Sequence, residues 1–80
     1  MGGMTTKFKI LDVRPILARG ADPFSKIRAT LDALQPNEGI SVVAPFLPSA
    51  LIEKLGSEGF RSRVERQVGG SWITHFWRDE

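Results

Sequence analysis

The carboxyl-terminal third of the chain constrains the fold most, because it holds an alternating run and a second strand-like run divided by a pair of glycines. In residues 60–66, apolar or small side chains alternate with charged ones, a pattern typical of a β-strand with two unlike faces. Gly69-Gly70 separates this run from residues 72–78, which predict another strand, and paired glycines are typical of hairpin turns. We therefore predict an antiparallel hairpin at this end of the chain.

A strand, a loop and a helix are predicted at the start of the chain. Residues 7–14 predict the first strand, with apolar side chains on both faces, so its buried side stays open. Residues 15–21 predict a loop, since proline and glycine punctuate them. Asp22 can cap a helix and Pro23 suits its first position. The apolar spacing that follows predicts a helix over residues 23–34.

A second unit of the same kind lies in the middle of the chain. Residues 40–44 form a β-branched run that predicts a second strand, and residues 48–55 predict a second helix, which Gly56 would end. The predicted order is therefore βαβαββ. Neighbouring strands joined through a helix are parallel, whereas the hairpin is antiparallel, so the predicted sheet is mixed.

The length of the chain decides how these elements pack. Its 80 residues suffice for one domain, and two helices are too few to cover both faces of four strands. We predict an α+β fold, a two-layer α/β sandwich with both helices on one face of a four-stranded mixed sheet and the other face open. The domain is expected over residues 7–80. Residues 1–6 are expected to be a disordered N-terminus that starts with a cloning remnant, Met1 to Gly3.

The composition excludes several kinds of site. The chain has no cysteine and one histidine, His75, which excludes disulfides, thiolate nucleophiles, Cys-bound zinc, iron–sulfur clusters and a His-rich metal site. We expect no cofactor and no metal. No apolar stretch is long enough to cross a membrane, and the N-terminus lacks the apolar core of a signal peptide, so the expected location is cytoplasmic. A net charge of +2 is weak support for nucleic-acid binding.

Four short segments share a likeness to the motifs of a known family. They are Leu11-Asp12-Val13-Arg14, Asp22-Pro23, Asn37-Glu38-Gly39 and Gly70-Ser71-Trp72. The first two resemble the Leu-Asp-x-Arg-Gly and Cys-Pro-x-Pro motifs of the TusA/SirA-like sulfur carriers, and the third resembles the Gly-Glu turn of that family. The fourth resembles the last strand of a cysteine-less branch of the family, a domain of unknown function. The resemblance implies the same βαβαββ sandwich.

One departure from the family pattern removes its chemistry. The family's sulfur carriers hold a persulfide on the cysteine of Cys-Pro-x-Pro. Here Pro23 aligns with the second proline, so Gly20 and Ala21 stand in the places of the cysteine and the first proline. The resemblance, which runs from about Lys9 to Arg78, therefore implies the fold but not sulfur transfer.

The first candidate site is the loop before the first predicted helix. Arg14 and Arg19 lie near a helix N-terminus that begins at Asp22 and Pro23, and the free N–H groups of such a terminus attract anions. We predict an anion-binding or partner-binding site there. The alternative is that Asp22 caps the helix and both arginines are solvated or paired.

The second candidate site is the open face of the sheet. Alternation places Arg61 and Arg63 on this face, and the resemblance favours the other residues of the last strand as core, which leaves Ile73, His75 and Trp77 beside the arginines. Tryptophan and arginine are favoured anchors at protein interfaces. They also bind single-stranded nucleic acid by stacking and phosphate contacts. A third interpretation is that arginine stems cover the tryptophan and shield the sheet.

We expect a non-enzymatic accessory or protein-interaction domain that docks a protein partner or a second copy of itself. No motif links His75 to a serine or a carboxylate, so we do not expect it to act as a general base. Two alternatives stay open: a degenerate sulfur-carrier-like subunit that acts with an enzyme in sulfur or redox metabolism, and RNA binding through the open face. No membrane partner is expected.

Overall fold

A computed structural model describes residues 6–78 of the chain, so the predicted disordered N-terminus lies outside the described residues apart from Thr6. The elements follow the predicted βαβαββ order, with one short extra helix in the stretch predicted as a loop. They are β1 (Lys7–Asp12), α1 (Arg14–Ala18), α2 (Phe24–Asp32), β2 (Glu38–Ala44), α3 (Ser49–Ser57), β3 (Arg61–Arg66) and β4 (Trp72–Trp77).

The four strands form one mixed sheet in the order β1-β2-β4-β3. Strand β1 runs parallel to β2, whereas β4 runs antiparallel to both β2 and β3. The predicted hairpin is confirmed. Its turn is closed by a 2.8 Å hydrogen bond from the Gln67 N–H to the Ser71 carbonyl, and Gly69 and Gly70 adopt the positive φ angles that such turns favour.

The core lies between the helices and one face of the sheet, as the predicted two-layer sandwich requires. Alternate residues of β1, β2 and β4 meet apolar residues of α2 and α3, which removes both sets of side chains from water. Phe76 is fully buried at the centre of this layer. The buried core residues are Leu11, Val13, Ile27, Leu31, Ile40, Val42, Ala44, Leu55 and Phe76.

The short helix α1 corrects the predicted loop at residues 15–21. Pro15 does not break this segment, because it lies in the first turn of α1, where a missing backbone N–H costs no hydrogen bond. Ile16 and Leu17 pack against the core. The turn therefore forms because it buries two apolar side chains that the pattern of prolines and glycines concealed.

The ends of α2 and α3 test the predicted caps. The Asp22 carboxylate accepts a 2.9 Å hydrogen bond from the N–H of Phe24, the first residue of α2. The N-cap position itself is Pro23, which makes no side-chain hydrogen bond, so α2 begins one residue later than predicted. The predicted end of α3 at Gly56 is wrong. Helix α3 continues to Ser57, and Gly59, which follows the C-cap residue Glu58, has a φ of 94° that is accessible to glycine. The Phe60 N–H then bonds the Leu55 carbonyl at 3.0 Å, as in a Schellman motif.

Candidate functional site

The sheet face away from the helices carries the residues that the alternating pattern placed there. In the β3–β4 register, Arg61 lies opposite Trp77, Arg63 opposite His75 and Glu65 opposite Ile73, and opposite residues project from the same face of a sheet. Strands β1 and β2 add five side chains to this face, as their registers with each other and with β4 show. We call this surface the open face: Phe8, Ile10, Asp12, Ser41, Val43, Arg61, Arg63, Glu65, Ile73, His75 and Trp77.

A hydrogen-bonded chain across three strands holds His75 in place. Its Nε2 lies 3.0 Å from Glu65 Oε1, and its Nδ1 lies 2.7 Å from Ser41 Oγ. Because a carboxylate only accepts, Nε2–H donates to Glu65, and a ring that carries its single proton on Nε2 accepts at Nδ1 from the Ser41 hydroxyl. The hydrogen bond from His75 is the first cause that lowers the pKa of Glu65. The ring is therefore fixed from both sides.

Three aromatic rings meet beside this chain. The Phe8 ring centre lies 5.3 Å from that of His75 and 6.1 Å from that of Trp77. Both pairs are edge-to-face, a geometry that aromatic rings favour. Phe8 reaches this place because its register partner is Gly39. A Cβ atom at Gly39 would lie 2.7 Å from Phe8 Cε1, closer than carbon atoms can pack. The glycine therefore makes room for the ring.

A cavity of about 310 Å³ opens among these side chains. It brings together Arg63, His75 and Trp77, three of the predicted site residues. Alternation also places Glu65, another lining residue, on this face, whereas sequence reasoning missed Thr6 and Phe8. A signal for Phe8 was present: once Leu11 is assigned to the core, alternation places Phe8 on the open face. Arg61 and Ile73 lie on the open face but do not line this cavity.

The other predicted site, the loop before the first long helix, is dominated by an ion pair. Arg14 Nη2 lies 2.7 Å from Asp12 Oδ2 and Arg14 Nε lies 2.9 Å from Asp12 Oδ1, so the guanidinium holds the carboxylate with two bonds. These hydrogen bonds from Arg14 lower the pKa of Asp12. Arg14 Nη1 also donates to Ser71 Oγ at 3.2 Å. The Arg14 side chain therefore links the end of β1 to the hairpin turn.

The remaining residues of this predicted site are spread around α1 and α2. Arg19 follows the last residue of α1, Asp22 caps α2, and Pro23 precedes the first residue of α2. The Asp22 carboxylate already occupies the N-terminus of α2, which weakens the electrostatic argument for an added anion there. Anion binding by Arg14 and Arg19 stays a prediction.

The described part of the chain holds neither a metal-binding cluster nor a membrane-spanning helix. Within residues 6–78, no group of three or more histidine, aspartate or glutamate residues is placed to hold a metal ion. No helix in the same range has the length and apolar character needed to cross a membrane.

Comparison with known proteins places the chain in a family. Neither the curated proteins nor the solved structures give a match. A family model described as an uncharacterized conserved protein, DUF2249, matches residues 10–78. The match covers all seven described elements except the first residues of β1, and the chain therefore belongs to the DUF2249 family of uncharacterized conserved proteins.

Proposed function

We propose that this DUF2249 domain is a non-enzymatic protein-interaction domain that docks a partner through the open face. The observation that carries the proposal is the cavity in which Phe8, Trp77 and His75 surround a space beside Arg63 on an uncovered sheet. Aromatic rings that are half-exposed and held rigidly are typical anchors of protein interfaces. An apolar side chain of the partner would enter this cavity.

The charges around the cavity favour an acidic partner. The Glu65 carboxylate is already engaged by His75 at 3.0 Å. Arg63 lines the same cavity, and within residues 6–78 it has no ion pair within 4.0 Å. Arg63 is therefore the cation of the cavity lining that a partner's carboxylate can meet. A carboxylate next to the partner's apolar residue would pair with Arg63, and charged pairs of this kind direct partner choice.

The geometry around His75 supports a role other than catalysis. Ser41 is the hydroxyl next to its Nδ1, yet only 5% of that residue is exposed. A serine nucleophile must reach a substrate carbonyl, and a buried hydroxyl beneath the sheet face does not offer this. The Ser41–His75–Glu65 chain accordingly orients the ring within the docking surface.

The finer relationship to the TusA/SirA-like fold is also part of the proposal. It is supported by the two-layer architecture, the mixed sheet and the helix that Asp22-Pro23 opens. On this view Gly20 and Ala21 replace the reactive cysteine and its proline, and the domain would act, in the cytoplasm, as an accessory protein or as a degenerate carrier bound to an enzyme.

Site-specific crosslinking in cells of the source organism tests the proposal. A photoreactive benzoylphenylalanine replaces Ile10, which is 79% exposed on the open face, or Val68 at the fully exposed hairpin tip as the control. We expect a crosslinked protein at position 10 and not at position 68. That protein is then purified and its affinity measured by calorimetry with wild-type, Arg63→Glu and Lys26→Glu domains.

The two charge reversals separate a specific contact from general electrostatics. They change the net charge equally, but Lys26 lies on α2 and not on the open face. We expect Arg63→Glu to weaken binding at least about tenfold, as loss of an interface charge pair does, and Lys26→Glu to leave it within about twofold. Equal losses, crosslinks to a second copy or to nucleic acid, or equal yields at positions 10 and 68 would overturn the proposal.

A further inference from the structure

A second cavity lies on the helix-covered side of the sheet and takes no part in the open face. It is a cleft of about 500 Å³ between the amino-terminal ends of α2 and α3, a volume within the range of small-molecule sites. We propose that this cleft binds a small amphipathic carboxylate, with the apolar body of the ligand in the cleft and its carboxylate at Lys54.

The walls of the cleft account for the apolar part of the ligand. Its floor includes the buried side chains of Val13, Ile27 and Val42, so a ligand there would contact the core directly. Its lip is formed by Phe46 and Leu47, which are 50% and 41% exposed in the connection between β2 and α3. Two large apolar side chains left in water gain contact area when a ligand lies between them and the floor.

The one charged side chain in the lining accounts for the ligand's charge. Among the described lining residues, Lys54 alone carries a charge, and its Nζ lies 5.5 Å from the centre of the Phe24 ring at the cleft. The neighbouring carboxylate of Glu58 is taken by Arg28 at 2.7 Å. Lys54 has no ion pair within 4.0 Å inside residues 6–78, and Glu58, whose pKa its charge helps to lower, is bonded to Arg28 instead. The ammonium group can therefore still accept a carboxylate at the cleft.

The first turn of α3 favours the same end of the ligand. Ala50 and Leu51 line the cleft, and the cap residue before α3, Pro48, provides no side-chain hydrogen bond. The first helical hydrogen bond of α3 runs from the Ile52 N–H to the Pro48 carbonyl, so the N–H groups of Ala50 and Leu51 before it have no partner within the helix. These two N–H groups add positive potential at the cleft to that of Lys54. An anionic head group is therefore favoured over a neutral or cationic one.

Titration with three ten-carbon probes tests both halves of the proposal. Decanoate, decan-1-ol and decyltrimethylammonium share an apolar body and differ in charge. Binding is followed by amide chemical shifts, with Leu17 and Leu51 reporting on the cleft and His75 on the open face. From the shifts of the cleft amides, we expect decanoate to bind about two- to fivefold more tightly than decanol, in line with an exposed ion pair. The His75 amide should stay unchanged.

Variants at the rim and in the wall assign the contacts. Lys54→Gln should remove the preference for decanoate over decanol and leave decanol binding unchanged, whereas Lys54→Arg and the distant Lys26→Gln should keep the preference. Ala50→Leu should weaken all probes by filling the cleft, with circular dichroism confirming that it folds. Equal affinity for decanoate and decanol, tighter binding of the cationic probe, shifts centred on His75, or no shifts at millimolar probe would each overturn the proposal.

Discussion

Gly39 lies on β2 opposite Phe8 of the open face, and replacing it with alanine should destabilise the protein. A Cβ atom at this position would lie 2.4 Å from the Phe76 carbonyl oxygen and 2.7 Å from Phe8 Cε1. Ordinary contacts of a Cβ atom lie at 3.4–4 Å, so the carbonyl must retreat by about 1 Å. That carbonyl belongs to the β2–β4 ladder, where Phe76 pairs with Ile40. Neither neighbour can move without cost.

The magnitude follows from the cost of overpacking. Inserting a methyl group where the backbone must shift costs about 1–3 kcal/mol, a large share of the roughly 5 kcal/mol expected for so small a domain. The melting temperature of a domain this size falls by about 4–8 °C per kcal/mol. Gly56→Ala is the matched control. Gly56 lies inside α3 with no atom within 4 Å of an added Cβ, and alanine is favoured there by about 0.5–1 kcal/mol.

Urea denaturation followed by circular dichroism measures both variants against the wild-type protein. We expect Gly39→Ala to lower the free energy of unfolding and Gly56→Ala to raise it. Phe8→Ala combined with Gly39→Ala should recover only the part of the loss that the ring causes, because the contact with the Phe76 carbonyl remains. The reasoning is refuted if Gly39→Ala is as stable as the wild-type protein, or if the two glycine variants shift stability in the same direction.

Three further changes probe individual contacts. Thr74 is fully buried, and its hydroxyl has no hydrogen-bond partner within residues 6–78, so Thr74→Val should raise stability by about 1 kcal/mol; a lower melting temperature would contradict this. Asp22→Ala removes the cap on the Phe24 N–H and should cost about 0.5–2 kcal/mol, with Asp22→Asn recovering most of it in the same urea assay. The hydrogen bond from Arg28 lowers the pKa of Glu58, so this pair stabilises the folded state above the ordinary carboxyl pKa and loses that effect as the pH falls through the lowered value. Arg28→Ala should therefore lower the urea midpoint at about pH 7 and not near pH 2, and an equal loss at both would show that packing of the arginine stem is responsible.

Local patterns predicted the hairpin and its two faces because the relevant information is contained in neighbouring residues. The strand pattern from Phe60 to Arg66 and the Gly69-Gly70 turn are readable without knowing the rest of the fold, and the strand and the turn are both confirmed. Every residue of β3 is nevertheless exposed, because the helices do not cover the inner face of this edge strand. Pro15 misled the prediction because a proline is equally suited to a turn and to the start of a helix. Only the packing of the following residues against the core distinguishes the two.

The candidate site was harder to predict, because it is assembled from separated strands. Ser41 and His75 are 34 residues apart, and their contact depends on the register between β2 and β4. Phe8 lies on a strand with apolar residues on both faces, so periodicity alone does not assign it. The cavity on the open face therefore needed the sheet order, whereas its β3 residues needed only alternation and its β4 residues needed alternation together with the family resemblance.

Strand β2 separates the two proposed sites, and this separation makes them independent. Ser41 bonds His75 on the open face, while its neighbour Val42 lines the cleft on the helix side, because successive side chains of a strand point to opposite faces. The two cavities share no lining residue. Effects at such separate sites are additive within about 0.5 kcal/mol. Saturating the cleft with decanoate should therefore leave the affinity of the open-face partner within about twofold. A larger change would mean that β2 transmits a displacement from one face to the other, and Gly39→Ala, which disturbs β2 from the open side, should then also alter decanoate binding.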